Sequence, residues 1–284
     1  MTGAGTTGRP LGIGVEREPL RAPGLLHEFP AFIPSGQEQV ASVITVPPGR
    51  SRAIVVLTTG GGGAPRSHAG SMWTRVARGL AARGIASARM DWRGMGDSTG
   101  SARFPAGFAN LPVEDLGAVA GFARQVTGAE ALGVAGNCGG ARTALAALEA
   151  LGRCESLALL LVKAAARIGS EGPMALRARL LLSRVPVLER AARRTTRAVR
   201  SIRTDPAASR ILRANRSAHV LVLEDRTAKA GNLIPVLSAA SRGNGTRRLE
   251  PLEMPVPWSR GFDAVERQDF VVTTLIEWFD QTLP

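Results

Sequence analysis

Short apolar segments alternate with helical segments along most of this chain, and that alternation constrains its fold more than any other feature. Short, mostly apolar segments typical of buried strands are AIVVLTT (53–59), IASARMD (85–91), ALGVAG (131–136), SLALLLV (156–162) and HVLVLED (219–225). The segments between them have helical periodicity; in SMWTRVARGLAARG, for example, Trp73, Val76 and Leu80 fall on one face. Strands that are joined through helices pair in parallel and are covered on both faces. The sequence therefore predicts an α/β fold with a mostly parallel, doubly wound sheet.

The composition fits one large folded domain. A chain of 284 residues that is 44% hydrophobic has enough apolar material for a core, which excludes disorder of the whole chain. The longest apolar run near its middle, Leu157 to Val162, is far shorter than the roughly 20 residues of a membrane span, and residues 1–18 lack the apolar core of a signal peptide. Cys138 and Cys154 have no His or Cys at ligand spacing, so neither a disulfide framework nor a metal site is predicted. We expect a cytoplasmic protein without a membrane span, metal or cofactor.

The predicted organisation is one domain with an insertion. Residues 1–25 are rich in Gly and Pro and lack periodicity, which predicts a flexible arm or an extension at the sheet edge. Residues 26–284 make up the domain. An Arg-rich stretch at about 165–216 interrupts the strand–helix rhythm and has the pattern of two or three helices separated by Pro186 and Pro206. We predict that this stretch is an inserted helical cap.

Positive charge is concentrated in the same stretch. The net charge is +13, and residues 164–218 hold 13 Arg against three acidic residues, so that this segment carries +10 of it. Only two of the 36 basic residues are lysines, and no nucleic-acid-binding module or aromatic stacking motif accompanies them, so a nucleic-acid partner is not expected. Two interpretations stay open: a surface that attracts an acidic partner, and a solvated helical face in an Arg-biased sequence.

A glycine-rich turn between a strand and a helix is the sharpest chemical motif. Gly136, Asn137, Cys138, Gly139 and Gly140 follow the buried run ALGVA and precede ARTALAAL. Small neighbours allow a sharp turn, and the dipole and N–H groups at a helix N-terminus favour a thiolate and lower its pKa. These features indicate a nucleophile. The alternative is that the cysteine is a small buried residue and that the glycines serve close packing.

This pentapeptide resembles the nucleophile elbow, Gly-x-Ser-x-Gly, of the α/β-hydrolase superfamily, with Cys138 in place of serine. Two further segments resemble the same superfamily in the same order. One is the glycine run 60–63 after AIVVLTT, and the other is the loop DWRGMGDS (91–98), which is mainly structural in such proteins. The resemblance spans residues 53–152 and the closing strand and helix. It implies an α/β-hydrolase fold and an oxyanion hole formed by the backbone N–H groups of Gly61 and Gly139.

The acid and the base of a hydrolase triad are less well marked. The resemblance places the acid after a late strand, where Asp225 is preferred over its neighbour Glu224; both are alternatively ordinary surface carboxylates. The loop before the last helix, where the superfamily has its histidine, contains none, and Trp258 stands near that position. His68, which follows the glycine run, is the remaining candidate base. Its alternative interpretation is a polar loop histidine or a contact at a helix start.

A cysteine without the usual histidine favours acyl transfer over hydrolysis. A thiol is partly ionised near neutrality and attacks without a base, whereas water needs one to release the acyl group. We therefore expect acyl-thioester processing, either acyl transfer or thioesterase-like. The donor would be an acyl carrier protein or coenzyme A, whose negative charge suits the Arg-rich stretch. Candidate substrate-binding residues are Arg193, Arg194, Arg197 and Trp258. The alternatives are an ester hydrolase with a substitute base and a catalytically degenerate binding or scaffold protein.

Overall fold

A computed structural model describes residues 20–21, 26–60, 65–101, 112–161, 218–224, 249–253 and 265–284. The strands are β1 (Leu20–Arg21), β2 (His27–Ser35), β3 (Glu38–Val46), β4 (Ala53–Thr58), β5 (Ile85–Met90), β6 (Ala131–Asn137), β7 (Ser156–Leu161), β8 (His219–Glu224) and β9 (Leu249–Glu253). The helices are α1 (Met72–Ala81), α2 (Val113–Thr127), α3 (Gly139–Ala147) and α4 (Val265–Thr282).

The described strands form one sheet in the order β1-β2-β3-β5-β4-β6-β7-β8-β9. From β5 to β9 every pair in this order is parallel, while β3 pairs antiparallel with β5 and β2 forms an antiparallel hairpin with β3. Every residue of β4, β5 and β6 is buried, as expected for central strands covered on both faces. The predicted mostly parallel α/β fold is confirmed.

Helices cover both faces of this sheet. Alternate residues of β4 point to opposite sides: Ile54 belongs to one core layer, together with Leu116 of α2, and Val55 belongs to the other. The second layer includes Trp73 of α1 and Phe279 of α4. The sheet is therefore doubly wound. Because the strands from β5 to β9 in the sheet order are parallel, their carboxyl ends lie at one common edge.

The proline-containing strands β2 and β9 are not among the strands that the sequence predicted. Both contain proline, which lacks the N–H that a sheet ladder needs and is tolerated mainly at edges. Pro30 and Pro34 lie in β2, whose outer neighbour β1 pairs only with His27 and Glu28 in the described part of the chain. Pro251 lies in β9, the last strand of the sheet order. Edge positions explain why these segments form strands despite their prolines.

The predicted insertion falls in the connection between two neighbouring parallel strands. Residues 162–218 connect β7 to β8, which pair directly with each other. The predicted helical cap at 165–216 lies outside the described residues, as does most of the predicted arm 1–25, of which Leu20–Arg21 pairs with β2. Within the described ranges, no helix has both the length and the apolar character that a bilayer span requires.

Candidate active site

Cys138 lies at a sharp turn between the central strand β6 and helix α3. It follows Asn137, the last residue of β6, and directly precedes the first residue of α3. Its backbone has φ 49° and ψ −115°, a conformation that residues with a side chain rarely adopt. Its N–H donates to the carbonyl of Leu160 in β7 at 2.9 Å, and its thiol is partly exposed. The turn thus holds one thiol at the carboxyl edge of the sheet and at a helix N-terminus.

Two glycines make this turn possible by letting backbones approach closely. A Cβ on Gly136 would lie 2.5 Å from the carbonyl oxygen of Gly140, and a Cβ on Gly140 would lie 2.6 Å from the carbonyl oxygen of Thr59. Neither neighbour is the end of a flexible side chain, so both positions require glycine. The close packing and the partly exposed cysteine therefore come from the same geometry, and the packing interpretation of the glycines does not exclude a nucleophile.

Gly60, two residues after the end of β4, packs against Cys138. A Cβ on Gly60 would lie 2.5 Å from the Cβ of Cys138 and 3.4 Å from the amide nitrogen of Gly139. The N–H of Gly60 donates to Oδ1 of Asn137 at 2.8 Å and is therefore not available to a substrate oxyanion. Gly139 begins α3, so its N–H has no acceptor within the helix. Gly61, the other predicted oxyanion donor, lies outside the described residues and stays a prediction.

His68 is buried and contacts the side chain of Asn137. Its Nε2 lies 2.9 Å from Nδ2 of Asn137, and its ring packs edge-on against Trp73 with centroids 6.5 Å apart. The bond from Gly60 identifies Oδ1 of Asn137 as the acceptor, so Nδ2 is the donor and Nε2 of His68 must accept. A neutral His68 then carries its proton on Nδ1. In this arrangement the Nε2 lone pair is occupied.

The other two of the chain's three histidines lie far along the strands from the thiol. His219 is the first residue of β8, at the amino edge of the parallel strands, and its N–H donates to the carbonyl of Glu155. His27 begins β2 and pairs with Val46 of β3, toward the same amino edge. Of the three histidines, His68 alone accompanies Cys138 at the carboxyl edge, as the sequence analysis expected.

The loop after β5 anchors the segment that carries His68. Oδ1 of the buried Asp91 accepts from the backbone N–H of Arg66 at 2.7 Å, and its carboxylate also pairs with the Arg66 guanidinium. Asp97 pairs with the same guanidinium at 2.8 Å. Burial alone would lower the pKa of Arg66, but the hydrogen bonds and charges of Asp97 and Asp91 outweigh it and raise that pKa. These carboxylates hold a structural ion pair, in agreement with the mainly structural role expected of the loop.

The structure brings three predicted site residues together and does not describe the rest. Cys138, Gly139 and His68 lie at one edge of the sheet, whereas Gly61, Asp225, Trp258, Arg193, Arg194 and Arg197 lie outside the described residues and stay predictions. Sequence reasoning missed Asn137 and Gly60. The signal for Asn137 was a polar residue inside an apolar strand, directly before the nucleophile.

Comparisons with known proteins agree with the observed fold. The sequence pattern of the Hydrolase_4 family, described as serine aminopeptidase, S33, matches residues 49–235. No curated protein sequence matches the chain significantly.

Three similar solved structures illustrate the shared fold. A cold-adapted esterase from an Arctic intertidal metagenomic library has a TM-score of 0.57 and 17% identity, with 96% of this chain and 100% of that chain covered. An esterase of Pyrococcus furiosus has a TM-score of 0.61 and 12% identity, with 90% and 91% covered. A proline iminopeptidase of Mycobacterium smegmatis has a TM-score of 0.53 and 17% identity, with 89% and 99% covered. The family match and the fold together show that the chain belongs to the serine aminopeptidase S33 family, within the α/β-hydrolase superfamily.

Proposed function

We propose that the protein processes acyl thioesters through a covalent acyl intermediate on Cys138. The observation that carries this proposal is the strained turn at Cys138, with φ 49° and ψ −115°, which presents a thiol at the N-terminus of α3. Strained backbone at such a position costs about 1–3 kcal/mol and persists where the surrounding structure enforces it, often at active sites. A helix N-terminus favours the thiolate, which is the nucleophilic form of cysteine.

The reaction needs no group beyond the thiol and the two substrates. The Cys138 thiolate attacks the thioester carbonyl, a tetrahedral oxyanion forms, and the bond from carbon to the donor sulfur breaks. The donor thiol leaves with the proton that the Cys138 thiol gave up. An amine or thiol acceptor then attacks the acyl–Cys138 thioester, loses a proton, and releases the Cys138 thiolate.

The surroundings of the histidines favour transfer over hydrolysis. Water needs a general base to attack an acyl intermediate efficiently, whereas an amine or a thiol is the stronger nucleophile. Nε2 of His68 accepts a hydrogen bond from Asn137, and the other two histidines lie toward the amino edge. We therefore expect an acyl–Cys138 that persists in water and is consumed by an added acceptor.

Acyl carrier protein and coenzyme A are the proposed donors. The segment between β7 and β8 starts at the carboxyl edge of β7, which neighbours the strand that leads to Cys138. This segment contains Arg193, Arg194 and Arg197 and most of the net positive charge. Arginine binds phosphate groups and acidic surfaces through charge-assisted hydrogen bonds. Trp258 is proposed to line the acyl pocket.

Ester hydrolysis is the second candidate, because two of the similar solved structures are named esterases. Ester hydrolysis would require a general base other than His68, because Nε2 of His68 already accepts a hydrogen bond from Asn137. A binding or scaffold role, without acyl transfer to Cys138, is the third outcome of the experiment below.

Intact-protein mass spectrometry after incubation with a short acyl thioester tests the proposal. We expect one acyl adduct that Cys138→Ala abolishes and Cys154→Ala, the matched control, retains. The adduct should outlast dilution into buffer and disappear on addition of a primary amine or a thiol. An adduct that decays equally fast without acceptor would indicate a hydrolase, and the absence of any adduct would overturn the enzymatic proposal.

A further inference from the structure

We infer that His68 and Asn137 form a positioning pair that fixes Gly60, just after β4, against Cys138. The inference rests on the proposed acyl chemistry at Cys138. The side chain of Asn137 bridges two partners: its Oδ1 accepts from the N–H of Gly60 at 2.8 Å, and its Nδ2 donates to Nε2 of His68 at 2.9 Å. Gly60, Asn137 and His68 thus form one hydrogen-bonded chain across the carboxyl edge of the sheet.

The direction of these bonds assigns the role of each group. An amide oxygen accepts and an amide nitrogen donates, so the backbone N–H of Gly60 sets the orientation of the Asn137 side chain. Nε2 of His68 must then be unprotonated. A doubly protonated His68 would point an N–H at the Nδ2 hydrogens of Asn137, and the hydrogen bond between the two side chains would be lost. We therefore assign His68 as a hydrogen-bond acceptor for Asn137, and not as the general base for which the sequence made it a candidate.

Backbone strain marks the same place. Among the described residues, those other than glycine with positive φ are His68, Ser71 and Cys138. His68 has φ 62° and ψ 171°, a region that is used almost only by glycine and costs about 1–3 kcal/mol for other residues. Glycine at this position would avoid the strain but would supply no acceptor for Asn137. The strain is therefore consistent with a side chain that is needed where it lies.

Further contacts hold both ends of this hydrogen-bonded series, which are His68 and Gly60. Arg66, two residues before His68, is tied to Asp91 through its backbone and its side chain. Nε1 of Trp92 donates to the carbonyl of Thr59 at 2.9 Å, next to Gly60. The positions of His68 and of the β4 end are thus set by the loop after β5, and Asn137 joins them directly before Cys138.

The consequence concerns the oxyanion of the acyl intermediate. Gly60 packs against Cys138 and Gly139, and the loop that starts there is the predicted source of one oxyanion N–H. A displacement of about 1 Å in such a site can cost roughly 100-fold in rate. Release of Gly60 should therefore slow formation of the oxyanion while the thiol itself stays in place.

Substitutions of His68 that distinguish a hydrogen-bond acceptor from a general base test this inference. His68→Gln keeps an acceptor oxygen near the position of Nε2 but has no imidazole, whereas His68→Leu has neither, and both carry the same backbone strain. Two reactions of Cys138 are compared: acylation by a short acyl thioester, which forms an oxyanion, and alkylation by iodoacetamide, which does not. Circular dichroism and thermal unfolding verify that each variant is folded.

We expect His68→Leu and Asn137→Leu to slow acylation by about 10- to 100-fold and to leave alkylation within about threefold of wild type. His68→Gln should retain acylation within about threefold. Equal loss in His68→Gln and His68→Leu would assign His68 as a base, and equal loss of acylation and alkylation would assign a purely structural role; either result overturns the inference.

Nitrogen-15 NMR of the histidine rings provides a readout that does not depend on acyl chemistry. The His68 signals, assigned by their loss in His68→Gln, should show the Nδ1–H tautomer at neutral pH and should change in Asn137→Leu. An Nε2–H tautomer in the wild type would overturn the inference even if Cys138 accepts no acyl group. Lack of an acyl adduct on the wild type, with the expected tautomer present, would overturn the proposed function alone.

Discussion

The two cysteines show how strongly position decides the chemistry of one residue type. Cys154 is buried, and its Sγ lies 3.4 Å from the carbonyl oxygen of Ser156. Burial raises the pKa of its thiol to about 12, which leaves almost no thiolate at neutral pH. Cys138 is partly exposed and stands at the N-terminus of α3, where negative charge is favoured. The same side chain is therefore inert in one place and suited to nucleophilic attack in the other.

Alkylation by iodoacetamide should accordingly be selective for Cys138. We expect Cys138 to react at least about 100-fold faster than Cys154 at pH 7. The pH dependence of its alkylation rate should have a midpoint below the unperturbed thiol value of about 8.5. Peptide mass spectrometry over a pH series measures both rates, and Cys138→Ala and Cys154→Ala assign them. Comparable rates at the two sites would contradict the nucleophile assignment.

A buried ion cluster connects the antiparallel hairpin to the rest of the sheet. Glu28 of β2 pairs with Arg89 of β5 and with Arg78 of α1, each at 2.8 Å, and accepts from Thr45 of β3 at 3.2 Å. Burial alone would raise the pKa of Glu28, but the hydrogen bond from Arg78 and the charges of both arginines lower it overall. Burial lowers the pKa of Arg89 despite the neighbouring carboxylate. One side chain thus ties four elements together.

Loss of the Glu28 charge should destabilise the protein in a pH-dependent way. Because the pKa of Glu28 is lowered on folding, its contribution is present above the ordinary value of 4.5 and is lost as the pH falls through the folded-state value. Glu28→Gln leaves Arg89 buried without its counter-charge and should lower the free energy of unfolding by about 3 kcal/mol at pH 7. Urea unfolding at a series of pH values should show this difference shrink below about pH 4.5.

The matched control is Glu114→Gln, since Glu114 pairs with Arg93 at 3.3 Å but its side chain is 81% exposed. Exposed pairs and charges at helix N-termini contribute less than about 1 kcal/mol, so the control should change stability little at any pH. If the free energy of unfolding of Glu28→Gln differed from that of the wild type by the same amount at every pH, the electrostatic explanation would be refuted.

At the scale of the whole molecule, charge is distributed very unevenly along the chain. The segment 164–218 contributes most of the net charge of +13 and is connected to the sheet at β7 and β8. Exposed charge pairs are screened over about 8 Å at physiological ionic strength, so binding that depends on this segment must weaken as salt rises.

Replacing Arg193, Arg194 and Arg197 by Gln should therefore raise KM for a carrier-bound or coenzyme A thioester by about tenfold at low salt, which corresponds to roughly 0.5 kcal/mol for each arginine. KM for a short uncharged thioester should stay unchanged. Arg153→Gln is the control, because Arg153 is exposed and precedes the amino end of β7, away from Cys138. Equal changes in KM for both substrates would indicate an effect on stability instead.

Local sequence patterns predicted the central elements and the nucleophile turn. The strands β4 to β8 are mostly apolar segments, and Gly136 is required by a contact inside one strand–turn–helix unit, so neighbouring residues suffice to recognise them. The outer strands β2 and β9 were harder to predict, because proline is tolerated mainly near a sheet edge. The order of the described strands, and not the local sequence, places Pro30 and Pro251 there.

The contacts of His68 were decided only by tertiary structure. The sequence marked it as a candidate base because it follows the glycine run, but 69 positions separate it from Asn137, and no periodicity links the two. Folding brings the ends of β4 and β6 to one edge, where the N–H of Gly60 orients the Asn137 amide and that amide occupies Nε2. A hydrogen bond depends on distance and direction in space. The sequence thus determined which residues could take part in the chemistry, and the packing of distant segments decided which atoms face each other.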